Sequence, residues 1–547
     1  MGVRLDQTEK NNEVANVEEN SEIERNPEKL VEDKRIYRFG EEGELTHFYV
    51  TILSNESTSE NNITFYEMNK WYQFNSVETS SPQLAVILEE GDETGPKAGA
   101  LGYGSSQANA TISIRGASSR IAAQKSYKIK LRDSAGLWNG QQVLNLNKHI
   151  SDQTRVKNKL SFDYFRLFPD LPSLRTNFVH LHVKDLTKMP PDNSFKSMGL
   201  FTHIEQVNKR YLAAHGLNPY GNLYKIESFE FFRYPEQLKV VDDPGYDVSQ
   251  FERIMEIKGD NDHTELLKML DAVNDLTKNI NDVVSEYFER DNYLTWLAVN
   301  FIFGNVDTLS QNYYLYRPLN STKWYFIPWD YDKAWDWHEY KSVPQWQMGL
   351  SRYWGNVLHR RFLRDPANIV ALQQKIEQLN QIVTEEQTKE YLDSYYTTIK
   401  PIIEIQPDVT YLPVETAAFD ERYYQLVKQP AENIQTFNKL LEYPTPIFLQ
   451  AIIEDEIIRF SWDLSFDFQG DDLDYSLQIS TDPDFTEIIY EKKSLQQTNF
   501  EMQNLEVGRY FWRVLVSDSK GHVQIPFEIY IDQDENYYWG LKELVIK

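Results

Sequence analysis

The hydrophobic periodicity of this 547-residue chain changes twice, and the two changes limit what it can fold into. From about Arg35 to Lys225, apolar and β-branched residues alternate with polar ones. HFYVTIL, NITFYEM, KWYQF, QLAVIL, ATISIRG, KSYKIKLRD, NFVHLHVKD, MGLFTHIEQV and GNLYKIES all read as strands. A helix is expected over Ser151–Phe168, with Ser151 or Asp152 as N-cap and Pro169 after its end. From about Gln250 the spacing becomes helical, in HTELLKMLDAVNDLTKNI and VVSEYFERDNYLTWLAVNFIFG. A hairpin follows, NYYLYR–PLNSTK–WYFIPWD, and then helices from about Trp354 to Phe437. Past Pro444, short strands return at regular spacing, the pattern of a small β-sandwich. The expected class is α+β: a large catalytic domain over about residues 35–440, β-rich to about 225 and helical over 226–440, then an all-β sandwich over about 444–535.

Asp and Glu total 83 against 56 Lys and Arg, a formal net charge of −27. A surface this acidic repels nucleic acid and anionic membrane, so neither is an expected partner. The absence of cysteine excludes disulfides, thiolate catalysis and Cys-ligated zinc. No run of about 18 apolar residues occurs, so no transmembrane helix is expected. The opening Met-Gly-Val-Arg-Leu-Asp lacks the apolar core of a signal peptide. Residues 1–34, rich in Glu, Asn and Lys, are expected to form a disordered acidic arm.

Chemistry concentrates in Gly304–Trp337, GNVDTLSQNYYLYRPLNSTKWYFIPWDYDKAWDW. Asp307 and Asn312 stand five apart, after a long apolar helix and before the hairpin. The return strand ends in Pro328-Trp329-Asp330-Tyr331-Asp332. Phosphoryl transfer needs one carboxylate to orient or deprotonate the acceptor hydroxyl, and oxygen ligands that hold a divalent metal against the phosphates. In ordinary protein kinases a catalytic-loop Asp, an Asn five residues on, a short hairpin and a metal-binding Asp follow in this order. Spacing alone leaves a second reading open, in which Asp307 and Asn312 only cap turns and Pro-Trp-Asp is a buried corner.

The same segment resembles the signature of the CotH family: Gly-Asn-x-Asp, then Asn-Tyr-x-Leu-Tyr and Pro-Trp-Asp-x-Asp. Arg115-Gly-Ala-Ser-Ser119 with Lys125-Ser-Tyr-Lys128, the stretch Gly199–Asn208, and Gly221-Asn-Leu-Tyr-Lys225 resemble further blocks of that family, in family order. The resemblance implies an atypical protein-kinase-like fold that binds ATP with Mg2+ or Mn2+ and phosphorylates Ser or Thr of proteins, coat proteins in spore-formers. It implies Asp307 as the catalytic Asp, and Asn312 and Asp330 as metal ligands. Two departures are Ala117, where Asn is common, and Asn208 in place of Asp. The sandwich and the acidic arm suggest a spore-coat or cell-surface setting.

Other residues carry weaker signals. Arg115 and Lys125 are candidates for phosphate contact. Lys125 shares the parity of Tyr127 and Ile129, so the alternative for it is a snorkelling lysine at a strand edge. Glu205 and Lys225 form an orienting ion pair or contact the nucleotide, or else belong to a structural salt bridge. Asp332 is a second metal ligand only if the strand stays regular past the corner. The Gly-dense stretch Gly99–Gly104 lies over a nucleotide or is a plain loop. His180 and His182, two apart, suggest a zinc pair, but spacing places no third ligand, and a strand with polar positions on one face is the expected reading. Phe460-Ser-Trp462 and Gly508–Val514 resemble strands of a fibronectin type III module. Two rival functions stay open: a non-catalytic CotH-like scaffold organising a coat or envelope layer, and transfer of AMP by the same metal site.

Overall fold

The computed structural model describes residues 29–38, 43–54, 58–75, 79–116, 118–305, 307–335, 353–412, 415–454 and 456–547. The acidic arm expected over 1–34 lies outside the described residues as far as residue 28. From Lys29 onward the chain is docked rather than free. Glu32 is 8% exposed, and its carboxylate meets His215 Nδ1 at 2.6 Å.

Strands β1 (Leu45–Ile52), β2 (Leu84–Asp92), β3 (Gly95–Pro96), β4 (Ala110–Arg115), β5 (Ser126–Leu131), β6 (Val143–Asn147), β7 (Thr176–Asp185) and β8 (Lys196–Glu205) form one sheet. Its order is β1-β7-β8-β6-β5-β4-β2-β3, and β1 also pairs with β2. Among the described residues, seven of these strands therefore close into a barrel, which removes their open edges. Alternate side chains fill it, among them Phe48, Val50, Ile112, Tyr127, Leu146 and Leu181.

The segments NITFYEM and KWYQF are not strands; Phe65–Phe74 is helix α1. Thr64 Oγ1 accepts the Glu67 amide at 3.1 Å, and Glu67 Oε2 accepts the Thr64 amide at 2.7 Å. This reciprocal cap outweighs the β preference of the aromatic residues. Phe65, Met68 and Tyr72, at helical spacing, pack against the barrel core. Helix α2 (Lys157–Phe165) starts later than expected, because Asp152 first closes a turn. Its Oδ1 accepts the Thr154 amide at 2.8 Å, and its Oδ2 reaches the Lys157 amide at 2.9 Å.

After the short helix α3 (Lys209–Ala214) comes a second, four-stranded sheet: β9 (Asn222–Ile226), β10 (Met255–Ile257), β11 (Tyr313–Arg317) and β12 (Tyr325–Pro328), in the order β10-β9-β11-β12. Strand β10 interrupts the stretch read as purely helical. Around this sheet lie α4 (Val248–Ile254), α5 (Thr264–Asn274), α6 (Ile280–Tyr287), α7 (Arg290–Ile302), α8 (Val357–Leu363), α9 (Pro366–Asn380), α10 (Glu385–Ile403), α11 (Thr416–Gln425) and α12 (Gln429–Leu440). Every residue of α7 from Asn292 to Ile302 is buried, as expected for a helix apolar all round. Asn292 ties it to the hairpin: Oδ1 accepts the Phe326 amide at 2.7 Å and Nδ2 donates to the Phe326 carbonyl at 3.1 Å. That bond fixes β12 against α7.

The C-terminal module has two main sheets. β13 (Leu449–Glu454), β14 (Ile457–Trp462) and β17 (Asn499–Gln503) make one; β15 (Leu473–Ser480), β16 (Ile488–Leu495), β18 (Gly508–Asp518), β19 (Val523–Gln524) and β22 (Lys542–Ile546) make the other. A small hairpin, β20 (Ile529–Ile531) with β21 (Tyr537–Trp539), stands beside them. Phe460, Trp462 and Trp512 lie in the core between the sheets. The last strand pairs with β18 beyond residue 535, past the end of the clear alternation. Among the described residues no helix is long and apolar enough to cross a membrane.

The capping box makes a local prediction. Thr64→Ala should weaken α1 by about 1 kcal/mol, speeding amide hydrogen exchange over residues 67–74 by about fivefold. Unchanged exchange there would contradict the assigned cap.

Candidate functional site

In the β11–β12 hairpin Tyr313 lies opposite Pro328, so Asn312 and Asp330 leave the same end. Both bend the chain with positive φ, 61° and 57°. Asn and Asp enter that region more readily than other side chains, which suits them to a corner where the backbone must turn. Asp307 occupies the turn after α7, its amide donating to Asn305 Oδ1 at 3.1 Å. Asn312 Nδ2 donates to the Asp307 carbonyl at 3.0 Å and to Asp307 Oδ2 at 2.9 Å. Gln311 Nε2 holds Asp307 Oδ1 at 2.9 Å, and Lys333 Nζ stands 3.4 Å from Oδ2. With its amide hydrogens turned to Asp307, Asn312 keeps Oδ1 as an acceptor that no described residue engages.

Beside this pair, Asp330 Oδ1 is buried without a hydrogen-bond partner among the described residues. His149, Asp330 and Asp332 each present a donor atom, and the three atoms lie within 4.8 Å of one another. His149 Nδ1 is 3.5 Å from Asp332 Oδ2. Burial, and then the charge of Asp332, push the Asp330 carboxyl up to about 7. His149 and Arg115 pull it back, and Asp307 pushes it further up. Burial is likewise the largest influence on Asp332 and raises it, but the bond and charge of His149, with Lys333 and Lys157, together outweigh it and leave Asp332 below the usual carboxylate range. An oxygen-rich donor set with one unpartnered carboxylate oxygen suits a hard divalent cation.

The scaffold brings these groups together through buried polar contacts. His149 follows β6 at φ 46°. Asn158 of α2 accepts the Tyr331 amide at 3.2 Å, and its Nδ2 lies 3.4 Å from His149 Nε2. Tyr331 donates to Asn300 Oδ1 at 2.8 Å, and Trp335 Nε1 to Ser161 Oγ at 2.9 Å. Helices α2 and α7 thus grip the Asp330–Trp335 segment from both sides.

Arg115 ends β4 on the outer face of the barrel, with Cζ 5.9 Å from the Trp329 ring centre. Among the described residues its guanidinium makes no hydrogen bond, and Asp330 is a nearby opposite charge. Lys125 does not join it. That residue keeps the inward parity of Tyr127, and its Nζ donates to the Arg120 carbonyl at 2.7 Å. The outward lysine of this strand near Arg115 is Lys128, which sits opposite Ser113. Glu205 and Lys225 do not pair with each other. Lys225 pairs with Glu227, on the β9 position opposite Tyr314, whose ring meets Trp329 at 5.5 Å. Asn208 is the N-cap of α3, accepting the Arg210 and Tyr211 amides at 2.8 and 3.0 Å. The Gly99–Gly104 loop packs on β2 at Leu88 and Glu90, at the far end of β4 from Arg115. Ala117 lies outside the described residues. Sequence reasoning missed His149, which has no spacing relation to the hairpin, and Lys333, whose place directly after Asp-Tyr-Asp was a usable signal.

Glu205 belongs to a buried network instead. Arg175 Nη2 and Nε reach it at 2.5 and 3.1 Å, and His215 Nε2 at 3.0 Å, while His215 Nδ1 holds Glu32. Burial alone would raise Glu205, but His215 and Arg175 bring it down to about 2. His215 is raised despite burial, by Glu205 and Glu32. The Glu205 contribution is full above the ordinary carboxylate range and is lost as pH falls towards 2. The His215 contribution is full below its unfolded pKa and is lost as pH rises through the raised one. His215→Gln should therefore destabilise by about 3 kcal/mol in weak acid, with the gap narrowing as pH rises. Urea unfolding at pH 6 and pH 9 measures it; an equal gap at both would contradict the network.

The profile of the CotH kinase protein family matches residues 112–433. The inner spore coat protein H of Bacillus subtilis (strain 168) is 26% identical over 226 residues, 41% of this chain and 58% of that protein. The chain therefore spans less than two thirds of this relative. The crystal structure of the Helicobacter pylori proinflammatory kinase CtkA aligns at 11% identity over 58% of this chain and 94% of that one, TM-score 0.22. The Shewanella oneidensis MR-1 toxin–antitoxin complex of HipA, HipB and operator DNA aligns at 10% identity over 58% and 66%, TM-score 0.23. At these TM-scores the two superpositions carry no weight.

Proposed function

From the fact that the chain belongs to the CotH kinase protein family, we propose that it transfers the γ-phosphoryl group of ATP to Ser or Thr hydroxyls of a protein. The observation that carries this reading is Asp330 Oδ1, a carboxylate oxygen buried without a partner among the described residues, beside Asp332 and His149, with Asn312 leaving the same end of the hairpin. These four residues would hold Mg2+ or Mn2+, and the cation would neutralise charge on the phosphates. Asp307, fixed by Asn312, Gln311 and Lys333, orients the acceptor hydroxyl and takes its proton. The bond from the γ-phosphorus to the β–γ bridging oxygen breaks as the acceptor oxygen bonds to phosphorus, and ADP leaves. Arg115 offers a planar fork to phosphate oxygens, with Lys128 in the place the sequence suggested for Lys125. Lys225, tied to Glu227 and set opposite Tyr314 on the hairpin sheet, is a further proposed nucleotide contact.

The relative's name makes a spore-coat protein the proposed substrate and the coat the proposed setting. The C-terminal sandwich, read as a fibronectin III-like module, is proposed to hold that partner.

Incubation with γ-labelled ATP and Mn2+ or Mg2+, followed by intact-mass analysis, tests the reading. Label is expected on the wild type and on coat-like substrates. Asp307→Ala and Asp330→Ala should each reduce it by about 100-fold or more. Arg115→Ala should raise the KM for ATP more than it lowers kcat. A mass gain of AMP rather than phosphate would replace the reaction. No transfer with any substrate, alongside nucleotide-independent partner binding, would favour a scaffold.

A further inference from the structure

We infer that His47, His180 and His182 form a second metal site, for a zinc-class divalent transition ion, on the outer wall of the barrel. The sequence offered two of these residues, His180 and His182; the parallel pairing of β1 with β7 supplies the third. In that register His47 lies opposite His180, and Tyr49 opposite His182. Phe48, Val50, Val179, Leu181 and Val183 point into the barrel core, so alternation sends His47, Tyr49, His180 and His182 to one outer face.

There the three imidazoles each present a nitrogen, all within 4.8 Å of one another. His47 Nδ1 and His182 Nε2 stand 3.3 Å apart. Two ligands at about 2.0–2.1 Å from a tetrahedral ion are separated by about 3.3–3.4 Å. A neutral hydrogen bond between His47 and His182 also explains that distance, but it gives no reason for a third imidazole in the cluster. The rings are held in place. Ser197 Oγ meets His180 Nε2 at 2.7 Å, and Tyr49 stacks on His182 with centroids 4.6 Å apart.

Burial also keeps the cluster in its ligating form. It is the largest influence on all three, and the neighbouring imidazoles add to it at His180 and His182, which fall to about 4 and about 3. His47 is lowered by burial against the opposing pull of Asp92 and Glu93. Metal ions bind the neutral imidazole, so these rings need lose no proton at neutral pH. An all-nitrogen set selects zinc, cobalt, nickel or copper over magnesium, which separates this site from the oxygen-rich one at Asp330. Three protein ligands leave a fourth position for water or an external donor.

The test is titration of the full chain with CoCl2, read by visible absorption. One equivalent should give the intense bands of tetrahedral cobalt, displaced by ZnCl2 and unchanged in Asp330→Asn. His47→Gln and His182→Gln should each weaken binding by about 100-fold, with circular dichroism confirming their fold. If His182→Gln fails to fold, His180→Gln and the zinc-induced rise in Tm of wild type against His47→Gln decide the matter. Absence of tetrahedral bands, bands that survive the histidine substitutions, or bands lost in Asp330→Asn would each overturn the inference.

Discussion

A carboxylate held out of water beside a second carboxylate shapes the part of this molecule that matches the CotH kinase protein family. Among the described residues Asp330 has an oxygen without a hydrogen-bond partner, and Asp332 lies close enough to oppose its ionisation. An ionised group in that position costs several kcal/mol unless a counter-charge arrives. The surrounding groups offer only partial relief. His149 is engaged with Asp332, and Arg115 acts on Asp330 without a hydrogen bond to it. A divalent cation would satisfy both carboxylates together, and the proposed kinase chemistry needs one in the same place.

The fold divides the work between two structures. The closed barrel carries Arg115, Lys128 and His149 on its outer face and at a strand exit. The hairpin sheet, backed by α7, carries Asp307, Asn312, Asp330 and Asp332. The Asn292 bonds to Phe326 lock the return strand onto a helix buried from Asn292 to Ile302, so the corner at Asp330 starts from a fixed point. Asn158 then ties the barrel-side residue His149 to the hairpin-side residue Tyr331. The barrel interior has its own core, while the core around the hairpin sheet also takes in Phe178, Leu200 and Ile204 from β7 and β8.

Much of this was legible in the sequence because it is local. Alternation exposed most barrel strands, and one continuous segment contains Asp307, Asn312, the hairpin and Asp330. Strand parity even separated Lys125 from the outward positions, although it took the register against β4 to point to Lys128. What escaped was either masked by composition or distant in the chain. Tyr66, Trp71 and Phe74 gave the first helix a β-like look, and only the Thr64–Glu67 spacing argued otherwise. His149 precedes the hairpin by well over a hundred residues, and His47 meets His180 through a parallel pairing that no periodicity reveals. Glu205 stood open between an active-site role and a structural salt bridge, and only its pairing with Arg175 and His215 decides for the latter.

Binding of Mn2+ to the full chain, followed by loss of the free-ion electron paramagnetic resonance signal with and without ATP, tests the central claim most directly. The account predicts binding that ATP strengthens, weakened by about tenfold or more in Asp330→Asn and largely kept in Asp307→Ala. Equal Mn2+ affinity in wild type and Asp330→Asn would contradict it, because the buried carboxylate would then have no cation to hold.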